Sequence, residues 1–219
     1  MVDTYRTEEE QIEAIKRWWK TDGLKTIALI VLVACGYFSW QWWQQQSHEK
    51  AVAASDVFQL LIEADTALAG GEPSDAALAI VARLKTEHAG SYAQYAGLYG
   101  AKYAVQRNDL VAAQAELEWV LDQSPSEEIA DLTQLRLARV LFAQNKYDAA
   151  LSELHFDDSE AWNMKKYDLQ GDIYLAQSNP DQAKVAYEKA LAYGQGNLTT
   201  RFIELKLNSI PAGVGTVNE

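Results

Sequence analysis

The chain has 219 residues, of which 48% are hydrophobic, and a formal net charge of −12. Acidic side chains outnumber basic ones by 31 to 19, so no excess of positive charge favours nucleic acid as a partner. Cys35 is the single cysteine, which excludes a disulfide within the chain and a metal site built from several thiolates.

The first 25 residues predict a short amphipathic cytoplasmic head. Ile12, Ile15 and Trp19 recur at helical spacing, and Trp18 lies beside Trp19. One interpretation is a helix whose tryptophans rest on membrane lipid at the inner leaflet. The other is a docking helix for a protein partner, with these four side chains as its contacts.

Residues 26–43 contain no charged side chain and predict a transmembrane helix. Eighteen helical residues span roughly 27 Å, close to the thickness of the hydrocarbon core of a bilayer. The uncharged stretch continues to Ser47, so the predicted span covers residues 26–47. Asp22 and Gly23 are expected to break the head helix before it.

The charged flanks of this span predict its orientation. Five Lys and Arg residues precede the span, whereas Lys50 alone follows it within twenty residues. Positive flanks stay in the cytoplasm, so residues from about 48 onward are expected in the periplasm of a Gram-negative cell. An aromatic belt for the outer interface follows the apolar run: Tyr37, Phe38, Trp40, Trp42 and Trp43.

Two alternatives compete with a retained anchor. A removable signal peptide is disfavoured because the lead-in is long, acidic and aromatic, and no A-x-A site closes the apolar run. Residues 32–36 resemble the lipobox of bacterial lipoproteins, which would make the chain an envelope-assembly scaffold acylated at Cys35. The apolar run continues past Cys35, which favours the anchor, and an intact-mass measurement separates the two cases.

After the span the pattern predicts helices only, as one soluble domain over residues 48–207. Residues 51–68 extend the membrane helix into this domain, and residues 70–73 end it. Ser74 is the predicted N-cap of a helix over 75–87, and Asn197 or Thr199 starts a closing helix that ends at Leu207. Residues 208–219 are expected to form a flexible tail.

The helices repeat in pairs and resemble a tetratricopeptide (TPR) array. Ala113, Ala150 and Ala183 lie 37 and 33 residues apart and let paired helices approach closely. An irregular helical bundle is the alternative, and a degenerate fourth copy is expected around residues 77–84. The last copy fits the signature best, with Tyr167, Gln170, Gly171 and Tyr174, then the turn Ser178, Asn179 and Pro180, then Ala183, Tyr187 and Ala190.

A TPR array offers a concave face, built from the first helix of each pair, that can hold a peptide or a partner helix. The alternative is that several of these positions pack against a capping helix. The register assigns twelve candidate contacts: Tyr95, Leu98, Lys102 and Val105, then Leu132, Leu135, Arg139 and Phe142, then Lys165, Asp168, Asp172 and Leu175.

Catalytic chemistry is not predicted. The histidines His48, His88 and His155 are far apart, none lies in a metal-binding or general-base motif, and no nucleotide-binding fingerprint occurs. Residues 157–159 are interpreted as helix-capping chemistry. The sequence therefore predicts a non-enzymatic protein without a cofactor or a metal.

Taken in order, the segments resemble the YfgM family of ancillary SecYEG translocon subunits. Residues 5–23 follow the family's E-x-Q-x-E-A-x-K-R-aromatic-aromatic head, and Lys206, Leu207 and Asn208 match its closing K-x-N. The resemblance implies a single-pass inner-membrane protein beside SecYEG. Its periplasmic TPR domain would help pass exported polypeptides to periplasmic chaperones, in company with a PpiD-like chaperone.

A regulatory role is the remaining alternative. The head would then tether a cytoplasmic stress-response protein through residues 5–20. Deletion of the head alone would abolish regulation, whereas it would leave the handling of exported polypeptides intact.

Overall fold

The computed structural model describes residues 8–68, 71–155, 162–194 and 200–210. Within these ranges every regular element is helical, which confirms the all-α prediction and the placement of one candidate transmembrane helix near the amino terminus. The chain divides into two compact units, Met1–Ala53 and Ala54–Glu219. Each unit is described by itself.

The first unit begins with a helix that does not break where a break was expected. Helix α1 spans Glu8–Trp18, a π-helical turn spans Trp19–Gly23, and α2 starts directly at Leu24. The prediction of a break at residues 22–23 is therefore wrong. A Cβ atom on Gly23 would lie 3.1 Å from the Trp19 indole, so the absence of a side chain lets the widened turn close against this ring.

Helix α2 spans Leu24–Ala67 and is the one helix in the described residues that is long and apolar enough to cross a membrane. None of its most apolar window is buried in the protein. Leu29, Leu32 and Trp42 leave 62 to 70% of their surface exposed, as side chains that face lipid would. The helix also continues to Ala67, which confirms that it runs on beyond the apolar stretch.

The second unit is a stack of helices that begins with the last residues of α2. Consecutive helices pack against each other, and three pairs form hairpins in the described residues: α4 with α5, α6 with α7, and α8 with α9. The helices are α3 Asp75–Glu87, α4 Ser91–Gln106, α5 Leu110–Asp122, α6 Glu127–Ala143, α7 Tyr147–Glu153, α8 Asn163–Ala176, α9 Pro180–Tyr193 and α10 Thr200–Ser209.

The three hairpin turns have the same backbone geometry. Asn108, Asn145 and Ser178 adopt left-handed conformations with φ of 58°, 61° and 59°. Their spacing of 37 and 33 residues equals that of Ala113, Ala150 and Ala183, each of which is fully buried. The next amide in each turn bonds back to the first helix: Asp109 to the Ala104 carbonyl at 2.9 Å, Lys146 to Leu141 at 2.9 Å and Asn179 to Tyr174 at 2.8 Å.

Side chains at the helix starts cap the backbone as the sequence predicts. Ser74 Oγ accepts the Ala77 amide at 3.2 Å, and Asn179 Oδ1 accepts the Gln182 amide at 3.3 Å, directly before Pro180. Asp109 Oδ1 accepts the Ala112 amide at 2.9 Å in the same way. These bonds satisfy amides that have no partner within the helix, and they fix where α3, α5 and α9 begin.

The buried core follows the repeats. Its central part joins α4 through α8 around Leu117, Leu135 and Leu154. A second cluster joins Leu61 of α2 to Ala77, Val81 and Leu84 of α3 and to Tyr103 of α4, where the degenerate fourth copy was expected.

Helix α10 closes the array at its carboxyl end. Ile203, only 1% exposed, packs into the cluster formed by Ala183, Tyr187 and Ala190. The helix ends at Ser209, two residues beyond the predicted end at Leu207. The predicted starts at Asn197 or Thr199, residues 157–159 and residues 211–219 lie outside the described part of the chain.

Candidate functional site

A groove opens between α4 and α6 in the second unit. A cavity of about 400 Å³ and a neighbouring one of about 320 Å³ share Leu98, Lys102 and Arg136, so the two form one continuous surface, here called the α4–α6 groove. The remaining lining residues are Tyr95, Tyr99, Ala101, Val105 and Gln106 of α4, Leu110 and Leu117 of α5, and Leu132, Arg139, Val140 and Ala143 of α6.

The structure brings half of the predicted contacts together in this groove. Tyr95, Leu98, Lys102 and Val105 of α4 line it with Leu132 and Arg139 of α6. Tyr95 and Val105 expose 38 and 46% of their surface, whereas Leu98 is buried at 5%. The groove therefore has an apolar floor that is reachable from solvent.

Two predicted contacts on α6 do not line the groove. Leu135 is 1% exposed and belongs to the central core. Phe142 is half-buried against the same core, with its ring centroid 5.9 Å from that of Tyr147. For these two side chains the assignment to the open face is wrong, because the helix turns them toward the core.

The predicted contacts of the third repeat are separate from the groove. Lys206 of α10 donates hydrogen bonds to Asp168 Oδ1 and Asp172 Oδ2, each at 2.8 Å. Burial alone would lower the pKa of Lys206, but the bonds to the two carboxylates outweigh burial and raise it. Asp172 also accepts the Tyr187 hydroxyl at 2.7 Å. The capping helix therefore engages this part of the predicted face.

The other two side chains on α8 do not add a site. Leu175 is half-buried against the carboxyl-terminal core. Lys165 is exposed, and its Nζ lies 4.7 Å from the centroid of the Trp162 ring. The capping-helix alternative thus describes the third repeat, whereas the open groove lies between the first and second repeats.

Within the groove, Lys102 already has a counter-ion. Its Nζ lies 2.6 and 2.8 Å from the two carboxylate oxygens of Asp65, on the last part of α2, and 5.4 Å from the Tyr99 ring centroid. Burial, followed by the nearby Asp65 charge, raises the pKa of Tyr103 beneath this pair. Lys102 therefore ties α4 to α2 and contributes little free charge to the groove.

Arg136 is the functional candidate that the sequence reasoning missed. It lines both cavities, whereas the register had selected its neighbour Leu135. Desolvation and the charge of Arg139 one turn away lower the pKa of the Arg136 guanidinium. Leu132, Arg136 and Arg139 are spaced by four and three residues, and such positions share one helical face. A search for this spacing would have identified Arg136 as a groove residue.

Tyr95 and Tyr99, which line the groove, pack with Tyr92 against Phe58 of α2. Phe58 of α2 lies 5.5, 5.9 and 6.0 Å from Tyr92, Tyr95 and Tyr99, measured between ring centroids. Such contacts stabilise the pairing of α2 with α4 beyond the apolar area that they bury. Tyr95 and Tyr99 therefore form a fixed surface on which a bound chain can pack.

The four head contacts lie in the first unit, and all are exposed. Ile12, Ile15, Trp18 and Trp19 leave 52, 64, 47 and 58% of their surface accessible. The rings of Trp18 and Trp19 are tilted, with centroids 6.3 Å apart. The head thus presents an apolar face beside its basic residues, which suits both lipid and a protein partner.

The described residues contain no group of three or more His, Cys, Asp and Glu side chains that could hold a metal ion. Cys35 is exposed on α2. What the α4–α6 groove offers is binding chemistry, with apolar surface, aromatic rings and cationic donors.

Comparison with known proteins agrees with the helical-hairpin architecture. A family profile described as a tetratricopeptide repeat-like domain matches residues 16–212. The ancillary SecYEG translocon subunit of Haemophilus influenzae is 32% identical over 203 residues, which cover 93% of this chain and 97% of the relative. Proteins of the same name from Aggregatibacter actinomycetemcomitans and Escherichia coli are 32 and 28% identical, over 93 and 95% of this chain and 97 and 99% of the relatives. No solved structure matches the chain significantly.

The hairpin stack and the profile define the class, a tetratricopeptide repeat-like protein. Within that class the chain belongs to the family of the ancillary SecYEG translocon subunits, since the relatives match it from the head to the closing helix. The resemblance noted in the sequence is therefore confirmed. The candidate membrane helix and this family fit a single-pass protein of the inner membrane.

Proposed function

We propose that the chain is a non-enzymatic ancillary subunit of the Sec translocon, with its head in the cytoplasm and its second unit, here called the helical unit, in the periplasm. The name of the relatives supports association with SecYEG. The excess of Lys and Arg before the span supports the orientation. Under this topology the α4–α6 groove lies in the compartment into which exported chains emerge.

The open groove is the observation that carries the binding role. It holds a segment of an exported polypeptide on Leu98 and Val105 until a periplasmic chaperone, such as a PpiD-like protein, accepts it. Unfolded segments expose apolar side chains, and their burial in a preformed apolar cavity lowers the free energy of the system. Release is easy because the groove is open along one side.

Site-specific photo-crosslinking tests this role. A photoreactive amino acid at Val105 is expected to crosslink to a secretory chain that is arrested in SecYEG. The matched position is Val111 on α5, which is 72% exposed and outside the groove. Equal crosslinking at both positions, or none at Val105, would contradict the groove as the binding site.

A regulatory function of the head is the second candidate, favoured by its four exposed apolar side chains. Binding of a helix to lipid depends on its apolar face and its charge. Binding to a protein partner also depends on which side chain stands at each position. Exchanging Ile12 with Trp18 keeps the composition of the apolar face. Loss of a stress-response phenotype with unchanged membrane attachment would establish the regulator, and an unchanged phenotype would leave lipid as the head's partner.

A further inference from the structure

The two arginines of the groove are unusual in so acidic a chain. Arg136 and Arg139 lie one turn apart on α6, and among the residues that the structure describes neither forms an ion pair or hydrogen bond with a carboxylate. All charged residues that line the groove are basic, although the chain has a net charge of −12. The groove is therefore locally cationic within an acidic chain.

Lys102 differs from the two arginines because it has a carboxylate partner. Asp65 holds it at 2.6 Å, whereas Arg136 and Arg139 line the same cavity without a carboxylate partner in the described residues. Burial and, after it, the charge of Arg139 lower the pKa of Arg136, so both the cavity and the neighbouring cation disfavour its charged form. An anion between the two would stabilise the charged form and accept paired N–H donors, for which the planar guanidinium is shaped.

The surroundings of the pair determine what else the ligand contains. The cavity of about 400 Å³ that both arginines line is mostly apolar, with Leu98, Val105, Leu110, Leu117 and Val140 in its wall. Besides the three cations, Gln106 is the polar side chain in this lining. A small inorganic anion would leave this apolar surface in water. A polypeptide with an aliphatic side chain next to a carboxylate would fill the cavity and neutralise the arginines together.

We propose that the α4–α6 groove selects acidic, aliphatic segments of polypeptide, with the carboxylate of an Asp or Glu held by Arg136 and Arg139 and a neighbouring aliphatic side chain in the adjoining cavity. This rests on the proposed binding role of the groove and adds the chemical class of the bound segment. Segments of the same hydrophobicity that carry lysine are rejected, because they bring a third cation to an unpaired cationic site.

Fluorescence anisotropy tests the selection on the full chain in nanodiscs of zwitterionic lipid. The probes are three labelled peptides that share the same leucine and serine positions. At the remaining positions one carries glutamate, one glutamine and one lysine. The glutamate peptide is expected to bind about tenfold more tightly than the glutamine peptide, as for one charge-assisted hydrogen-bonded contact. The lysine peptide is expected to bind most weakly.

Four variants separate charge selection from groove binding. Arg136→Gln and Arg139→Gln are each expected to remove most of the preference for glutamate. Arg83→Gln, which removes an equal charge from the exposed Arg83–Glu87 pair on α3, is expected to change nothing. Val105→Trp fills the groove and is expected to abolish binding of every peptide.

The outcomes are distinct. If all three peptides bind equally and Val105→Trp alone blocks them, the groove binds polypeptide but the acidic selection is wrong. If no peptide binds, or if Val105→Trp has no effect, the proposed binding role fails as well. A glutamate preference that survives in both arginine variants would place the selection elsewhere in the chain.

Discussion

At the residue scale, Gly171 shows how little space separates the paired helices. A Cβ atom at this position would lie within the ring of Tyr187, 2.6 Å from its Cδ1 atom. Tyr187 cannot move aside, because it is fully buried and its hydroxyl donates to Asp172. The signature glycine of the last repeat therefore has a steric cause.

Gly171→Ala is expected to destabilise the protein despite the better helix propensity of alanine. Propensity favours alanine by about 1 kcal/mol, whereas overpacking of a rigid core costs about 1 to 3 kcal/mol, so the net change is a loss of stability. Thermal unfolding of the helical unit in the full chain measures it. Gly36→Ala, with no atom within 4 Å of the added Cβ, is the matched control, and equal effects at both sites would contradict the steric explanation.

Glu153 predicts a dependence of stability on pH. Burial and the nearby Glu118 charge raise its pKa above the ordinary value of about 4.3. A carboxyl group that ionises less readily in the folded state stabilises the fold when protonated, and this contribution is lost as the pH rises through the folded pKa. The ionised side chain therefore opposes folding at neutral pH.

Glu153→Gln is accordingly expected to raise the free energy of unfolding at pH 7, by less than about 1 kcal/mol because solvent screens the partly exposed pair. The gain should vanish below about pH 3, where the glutamate is protonated in both states. Urea titrations at the two pH values measure the difference. The exposed Glu72→Gln serves as the control, and a gain that persisted in acid would require another cause.

At the scale of elements, α10 shows how one helix presents two faces of opposite character. Ile203 is 1% exposed in the core with α9, while its neighbour Phe202 is 69% exposed. Ile203→Ala is expected to cost about 2 to 5 kcal/mol, as for other large-to-small changes in a core. Phe202→Ala should stay within about 0.5 kcal/mol. Chemical denaturation of both variants checks the register, and similar losses would contradict it.

The helices themselves were largely predictable, because local signals determine them. Ser74 and the pair Asn179 and Pro180 mark helix starts by bonds made within four residues. The buried alanines recur at intervals that the chain displays directly. Such features need no knowledge of distant segments.

The features that could not be predicted from the sequence depend on contacts between distant segments. Lys206 reaches Asp168 across 38 positions, so no local pattern shows that these aspartates serve the capping helix rather than an open face. The choice between Leu135 and Arg136 turns on a rotation of α6 by one residue, which packing against α4 and α5 decides. The π-helical turn likewise depends on the Trp19 ring closing over Gly23.

At the scale of the whole molecule, the proposed topology predicts a protease result. Protease added to spheroplasts is expected to digest the helical unit and to leave a protected fragment that contains the head and the apolar part of α2. An epitope at the carboxyl terminus should disappear, while one at the amino terminus persists until the membrane is lysed. The reverse pattern would contradict the positive-inside orientation and every periplasmic role of the repeats.

Under the proposed function, the closure of the third repeat by α10 has a consequence for how long a bound chain would stay. With Asp168 and Asp172 already bonded to Lys206, the open part of the predicted face is confined to the groove between the two helices α4 and α6. An extended chain advances about 3.3 Å per residue, so only a handful of residues can touch this groove at once. So short a contact favours brief binding of a passing chain over its long-term retention.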